Sequence, residues 1–277
     1  MISVAMTTYN GEKFIEEQIK SILEQTLPAD EIIICDDGST DRTCEIIENF
    51  NDKRIRLIQN EDNLGYIRNF YKSISLTSGN YIFLADQDDV WHNNKIHEMI
   101  KHIQQTGAMA VCSNYTLIDA NGSIIENTSE LSIDSFIQKC KNNISKISTF
   151  RLAFGNIAQG CTYCFDSKVK DVYLKIQNNE VVHDLQIMII ASCMGEVHFI
   201  NQKLIDYRIH SNNSIGFTEK GNKLEIPRSI SKEPFMYRFF KQLNNIIKVK
   251  NLWLYGGIYY LRIPFLRAIL RRKLRID

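Results

Sequence analysis

Short apolar runs alternate with helix-spaced apolar positions through the first 112 residues. Ile2, Val4, Ala5 and Met6 form an opening run that breaks at polar Thr7-Thr8-Tyr9-Asn10, which predicts a first strand over 2–6. Phe14, Ile15, Gln18, Ile19, Ile22 and Leu23 recur at the spacing of an amphipathic helix. Ile32-Ile33-Ile34-Cys35 is continuous and apolar, as in a strand covered on both faces. Residues 37–41 follow it as a turn and helix cap, and the next helix carries Ile46, Ile47 and Phe50. The same rhythm predicts strands at 55–58, 81–85 and 108–112, with helices at 64–76 and 95–105. Such alternation implies an α/β fold with a mostly parallel central sheet flanked by helices.

Beyond residue 113 the rhythm fades. Asn121-Gly122 between two short apolar runs reads as a hairpin turn. A polar, helical stretch is expected up to about Phe150, then strands at 157–165 and 197–209 with a helix at 182–194 between them. Residues 211–232, rich in Ser, Asn, Gly and Lys, read as a loop or lid. From Pro234 the pattern turns helical, aromatic and basic.

The 277 residues are enough for one large α/β domain with an appendage. A formal net charge of +1 argues against a strongly basic nucleic-acid binder. Seven cysteines, an odd count scattered among apolar runs, suggest reduced buried thiols in a cytosolic protein. Cys161 and Cys164 form a CxxC with no second pair and no neighbouring histidine, so two core thiols fit better than a redox or zinc site. The opening run is too short for an export signal, and no uncharged apolar run is long enough to span a bilayer. A cytoplasmic chain is expected.

Ligands of open parallel sheets bind beyond the carboxyl ends of the strands. Here those ends read Thr7-Thr8-Tyr9-Asn10, Asp36-Asp37-Gly38 and Asp86-Gln87-Asp88-Asp89, which bring five acids to one edge. Crowded carboxylates repel, and a divalent cation relieves the repulsion. Magnesium or manganese suits oxygen ligands with positions left for a substrate phosphate. Solvated acids that cap a helix at Asp88 or Asp89 are the plainer alternative. No GxGxxG follows the first strand and no GxxxxGK[ST] occurs, which disfavours a dinucleotide dehydrogenase and a P-loop site.

The segments Met6-Thr7-Thr8-Tyr9-Asn10-Gly11, Ile34-Cys35-Asp36-Asp37-Gly38-Ser39-Thr40-Asp41, Asn63-Leu64-Gly65-Tyr66 with Asn69, and Ala85-Asp86-Gln87-Asp88-Asp89-Val90-Trp91 resemble successive motifs of glycosyltransferase family 2, in the family's order and spacing. The resemblance covers roughly residues 1–215. It implies a GT-A fold with a catalytic domain over 1–217: a nucleotide-sugar half to about 113, then an acceptor half from about 114. A loop and a basic, aromatic helical tail would fill 218–277. By the same resemblance Thr7 and Tyr9 line the nucleoside pocket, while Asp36 and Asp37 contact base or ribose. Arg68 reaches the base or pyrophosphate, Asp86 and Asp88 form the DxD pair with Asp88 the direct metal ligand, and Asp89 adds a supporting contact. Trp91 packs beneath.

His183-Asp184 opens a helix, where Asp184 suits a helix N-terminus. The segment also resembles the acidic motif in which the family carries its general base, the group that takes the proton of a sugar hydroxyl. His183 and Gly160 are secondary candidates beside it. Leu185-Gln186 departs from relatives that carry large aromatics there, which touches the acceptor pocket. Asp206-Tyr207-Arg208-Ile209-His210 resembles the motif whose histidine joins the metal, and the other five histidines, His92, His97, His102, His183 and His198, read as structural or solvated.

The expected activity is inverting, metal-dependent transfer of a hexosyl or deoxyhexosyl residue from a UDP- or dTDP-sugar. The acceptor is a hydroxyl of a lipid-linked saccharide in bacterial surface-polysaccharide synthesis. Aromatics with Lys and Arg over 234–277 suit either peripheral contact with the inner membrane face or packing on the domain. Alternatives are a non-catalytic sugar-nucleotide binding module, a retaining transferase and a nucleotidyltransferase.

Overall fold

The computed structural model describes residues 1–126, 143–153, 156–176, 178, 180–210 and 235–248. Strands β1 (Ile2–Thr8), β2 (Glu31–Asp36), β3 (Ile55–Gln59) and β4 (Tyr81–Ala85) alternate with helices α1 (Ile15–Leu23), α2 (Thr43–Asn49) and α3 (Tyr66–Ser75). There follow β5 (Val90–Trp91), α4 (Lys95–Thr106), β6 (Ala110–Ile118), β7 (Ile144–Lys146) and α5 (Thr149–Leu152). A 3₁₀ turn (Gly160–Thr162) leads into β8 (Tyr163–Asp166), α6 (Ser167–Tyr173), α7 (His183–Met194), β9 (Val197–Arg208) and α8 (Phe235–Ile247).

One sheet joins both halves, in the order β3-β2-β1-β4-β8-β6-β9-β5, with β7 paired to β9. The block β3-β2-β1-β4 is parallel, and the near-continuous apolar runs of β1, β2 and β4 suit strands buried on both faces. β8 enters antiparallel between β4 and β6, and β9 runs parallel to β6. β1 lies at the centre of the parallel block with Val4, Ala5 and Met6 wholly buried, so the loops after β1, β2 and β4 emerge side by side. β6 and β9 break register around Asn114, whose side-chain amide donates to Asn201 Oδ1 (2.8 Å) across the irregularity.

The expected mostly parallel α/β sheet is present, and the differences lie in the second half. The strand expected over 157–165 is a 3₁₀ turn followed by a strand that starts only at Tyr163. The helical stretch expected up to Phe150 contains strand β7. The strand expected over 108–112 runs on to Ile118, because Tyr115, Leu117 and Ile118 are also buried. The Asn121-Gly122 turn is as expected: Gly122 has φ 83°, and Ile118 bridges antiparallel to Ile124.

Met236, Phe239, Phe240 and Leu243 of α8 are buried in the common core, and Arg238 pairs with Glu180. The first described helix of the basic aromatic region therefore packs on the domain. The rest of that region, and the lid over 211–232, fall outside the described residues. Among the described residues no helix is long and apolar enough to cross a membrane.

Candidate active site

The first loop is built by polar side chains that bind backbone. Asp36 is buried, and it accepts from the Thr8 hydroxyl (2.8 Å) and the Ser39 amide (2.8 Å). Asp37, also buried, accepts from the Leu64 amide (2.8 Å), the Gly65 amide (2.9 Å) and Asn60 Nδ2 (2.8 Å). Both carboxylates thus fasten loops: Asp36 closes its own turn, and Asp37 ties that turn to the Asn63-Leu64-Gly65 segment. Gly65 itself sits at φ 77°, a conformation that favours glycine. Arg68 projects from α3 as an exposed residue, and the Tyr9 side chain is exposed at the end of β1.

Gln87, the middle residue of the acidic motif, has a role the sequence does not reveal. Its side-chain oxygen accepts from the Tyr9 amide (2.8 Å) and its Nε2 donates to the Tyr9 carbonyl (3.1 Å). Gly11 allows this approach, because a Cβ there would lie 2.3 Å from Gln87 Oε1. The ends of β1 and β4 are thereby locked together.

Asp88 and His210 meet directly, with His210 Nε2 2.8 Å from Asp88 Oδ2 and the imidazole tilted against Phe14. Asp86 instead groups with Asp89 and Cys161, their candidate ligand atoms all within 4.8 Å of one another. Burial and then the charges of Asp89, Asp88 and Asp184 push the Asp86 carboxyl well above the usual carboxylate range. Burial and Asp88 push Asp89 up to about 7. Asp89 Oδ1 accepts from the Arg208 amide (3.0 Å), whereas Oδ2 is buried with no hydrogen-bond partner among the described residues. Burial also raises the Cys161 thiol well above its ordinary value, which keeps it protonated and a poor ligand for a hard cation. The described residues thus hold two arrangements, the Asp88–His210 pair and the Asp86–Asp89–Cys161 group, whose carboxylate and imidazole donors are of the kind that manganese or magnesium takes. Neither Asp88 nor Asp89 caps the following helix, since α4 starts after Asn94.

Two cations brace these acids, and sequence patterns give neither a role. Arg208 is buried, donates through Nε to the Asp88 carbonyl (2.7 Å), pairs with Glu17, and lies 4.8 Å from the Phe14 ring centroid. Lys95 is fully buried at the start of α4, donates to the Cys161 carbonyl and rests 3.9 Å over the Trp91 ring. Burial lowers Lys95 to about 8, and the negative groups that oppose this fall include Asp89 and Asp86. Trp91 is buried in the core against Phe83, with its indole N–H lacking a partner among the described residues.

Asp184 arrives from the other half of the sheet, at the N-terminal end of α7. Its Oδ1 accepts from the Leu185 amide (2.6 Å) and its Oδ2 from Asn156 Nδ2 (2.6 Å). A Cβ on Gly160 would sit 3.2 Å from Asp184 Cβ, so the small residue lets the 3₁₀ turn press against the acid. Asp184 lies close enough to Asp86 to raise its pKa, and it also helps raise that of half-buried Tyr66 after burial. Leu185 and Gln186, which stand where aromatics were expected, are buried. Gln186 Nε2 donates to the carbonyls of Asn178 (2.9 Å) and Val181 (2.6 Å).

His183 faces inward, stacked on Phe70 with ring centroids 3.9 Å apart. Burial depresses its pKa to about 3, so it is neutral at working pH. The unfolded chain takes up that proton near 6.5, so the native state loses stability as pH falls from about 6.5 towards 3. His183→Phe is expected to move the acid-unfolding midpoint to lower pH, measured by circular dichroism. An unchanged or higher midpoint would count against a buried neutral imidazole.

A family model described as glycosyl transferase family 2 matches residues 3–167. The chain is 30% identical over 246 residues to the dTDP-rhamnosyl transferase RfbG of Shigella flexneri, covering 81% of this chain and 79% of that protein. It is 34% identical over 125 residues to the UDP-Glc:alpha-D-GlcNAc-diphosphoundecaprenol beta-1,3-glucosyltransferase WfgD of Escherichia coli, spanning 45% of this chain and about half (49%) of WfgD. The crystal structure of S. aureus TarS 1-349 in complex with UDP-GlcNAc shares the fold, with a TM-score of 0.62 at 18% identity over 88% of this chain and 66% of that one. The fold and the family match define a GT-A-type transferase. The chain belongs to glycosyl transferase family 2.

Proposed function

We propose that this protein is an inverting, metal-dependent glycosyltransferase that moves a hexosyl or deoxyhexosyl residue from a UDP- or dTDP-sugar to a hydroxyl of a lipid-linked saccharide. The observation that carries this reading is that the Gly160–Cys161 turn lies against both Asp184 and the Asp86–Asp89 group, so that the Asp184 charge helps raise the Asp86 carboxyl. The names of RfbG and WfgD support nucleoside-diphosphate sugar donors, and that of WfgD supports a diphosphoundecaprenol-linked acceptor.

In this mechanism residues 1–113 hold the donor and residues 114–217 present the acceptor. Thr7 and Tyr9 line the nucleoside pocket, with Asp36 and Asp37 shaping its floor and Arg68 neutralising the diphosphate. Asp86, Asp88 and His210 hold the divalent cation, with Asp89 in support. When bound, that ion supplies positive charge to the leaving diphosphate. Asp184 takes the proton of the acceptor hydroxyl. The oxygen attacks the anomeric carbon opposite the phosphate, the carbon–oxygen bond to phosphate breaks, and nucleoside diphosphate departs with inversion at carbon. Peripheral contact with the inner membrane face through the basic aromatic tail would bring a lipid-linked acceptor within reach.

The test is a panel of UDP- and dTDP-sugars incubated with a polyprenyl-diphosphate-linked saccharide, with manganese or with chelator. Manganese-dependent release of nucleoside diphosphate from one donor, with inverted product configuration, is expected. Release of pyrophosphate, retained configuration, or no turnover of any donor defeats the proposal.

A further inference from the structure

The structure assigns to Asn156 the role of positioning residue for Asp184: its side-chain amide fixes the rotation of the carboxylate that receives the acceptor proton. This rests on the reading of Asp184 as the base. A carboxylate turns easily about its last side-chain bond unless donors hold both oxygens. Here the Leu185 backbone amide holds Oδ1 at 2.6 Å and Asn156 Nδ2 holds Oδ2 at 2.6 Å. The first donor belongs to the helix and is present in any chain that forms α7. Of these two donors the second is a side chain, so it can be removed by substitution.

The orientation of that amide is set from behind. Asn156 Oδ1 accepts from the Ile157 backbone N–H (3.1 Å) and faces the Tyr163 hydroxyl (2.5 Å). A backbone N–H can only donate, so the oxygen of the amide points to it and the NH₂ group points to Asp184. Tyr163 is fully buried on β8, and its single hydroxyl proton is shared between Asn156 Oδ1 and the Ala158 carbonyl (2.6 Å). The sheet thus holds the phenol, the phenol and Ile157 hold the amide, and the amide holds the acid. Catalytic gain from a base depends on such alignment, and small displacements cost up to about 100-fold in rate.

The experiment uses the full chain with the donor that the panel shows to be turned over, and measures turnover separately from manganese-supported binding of UDP and dTDP. Asn156→Ala is expected to lower kcat roughly 10- to 100-fold, with donor KM and nucleoside-diphosphate affinity within about two-fold of wild type. Introduced into Asp184→Asn, the same change is expected to do nothing further, because no base remains to be aligned. Tyr163→Phe, which removes one hydroxyl at a distance from the acid, provides a second variant if Asn156→Ala folds poorly. Its kcat is expected to fall roughly 3- to 10-fold with donor affinity kept. Unchanged kcat in both variants, or an equal loss in the presence and absence of Asp184, overturns the assignment. If Asp184→Asn itself retains full turnover, the reading of the base has failed instead, and the two failures are told apart by that variant.

Discussion

Asp184→Asn is expected to lower turnover roughly 10²- to 10⁴-fold, the range for loss of a positioned general base, while UDP or dTDP affinity in manganese stays near wild type. The substitution keeps the size of the side chain and removes the capacity to take a proton. An amide at this position can still accept from the Leu185 N–H, as Asp184 Oδ1 does at 2.6 Å, so the start of α7 should persist. The check is kcat and binding measured on one preparation. Preserved turnover with lost nucleotide binding would move Asp184 from the chemistry to the donor pocket.

Asp86→Asn is expected to move stability and activity in opposite directions. Burial and the neighbouring acids raise Asp86 and bring Asp89 to about 7. An acid whose folded pKa lies above its unfolded one binds more protons when folded, so stability declines as pH climbs through the gap. For Asp89 that window runs from about 4, its unfolded value, to about 7. The neutral amide removes one repelling charge, so the variant in chelator at pH 7.5 should melt above wild type by about 3 °C or more. At pH 5.5 the gap should narrow, since the acids are still ionised in the unfolded chain but folding takes up their protons at less cost as pH approaches the unfolded value of about 4. Manganese should stabilise wild type more than the variant, and the variant should lose most of its turnover. Thermal melts with and without the ion at the two pH values decide it. A variant that melts below wild type in chelator at pH 7.5 sinks the idea that these acids repel.

The parallel half of the fold is legible because its central strands β1, β2 and β4 are covered on both faces and each helix on one. Ile32-Ile33-Ile34 and the Phe14–Leu23 pattern therefore carry strong, different periods. The second half was less so, for a geometric reason. β5 has two residues and β7 three, too few to show any period, and they exist only because β9 offers an edge to each. The α6 helix starts where Asp166 caps it by accepting from the Lys168 amide (2.8 Å), a signal available in the sequence but masked by the apolar run before it.

Within the site, Asp86, Asp88, Asp184 and His210 stood out through their motifs, and the structure brings Asp88 to His210 and Asp86 near Asp184. Lys95 carries no signal in the sequence, because its burial depends on Trp91 and Cys161, which lie on other elements. Asn156 and Gln87 were missed for the same reason, as their partners, Asp184 and Tyr9, are distant in the chain. Cys161 read as a core thiol; it is buried, but against the acids and not in a plain apolar interior.

Lys95 has a consequence for how the protein is made. Its ammonium group, folded in beside Asp89 and Asp86, gives those acids a built-in counter-charge from the moment the chain collapses. The chain is therefore expected to reach its native shape in chelator, with the proposed ion taken up afterwards, and circular dichroism of protein refolded without manganese checks this.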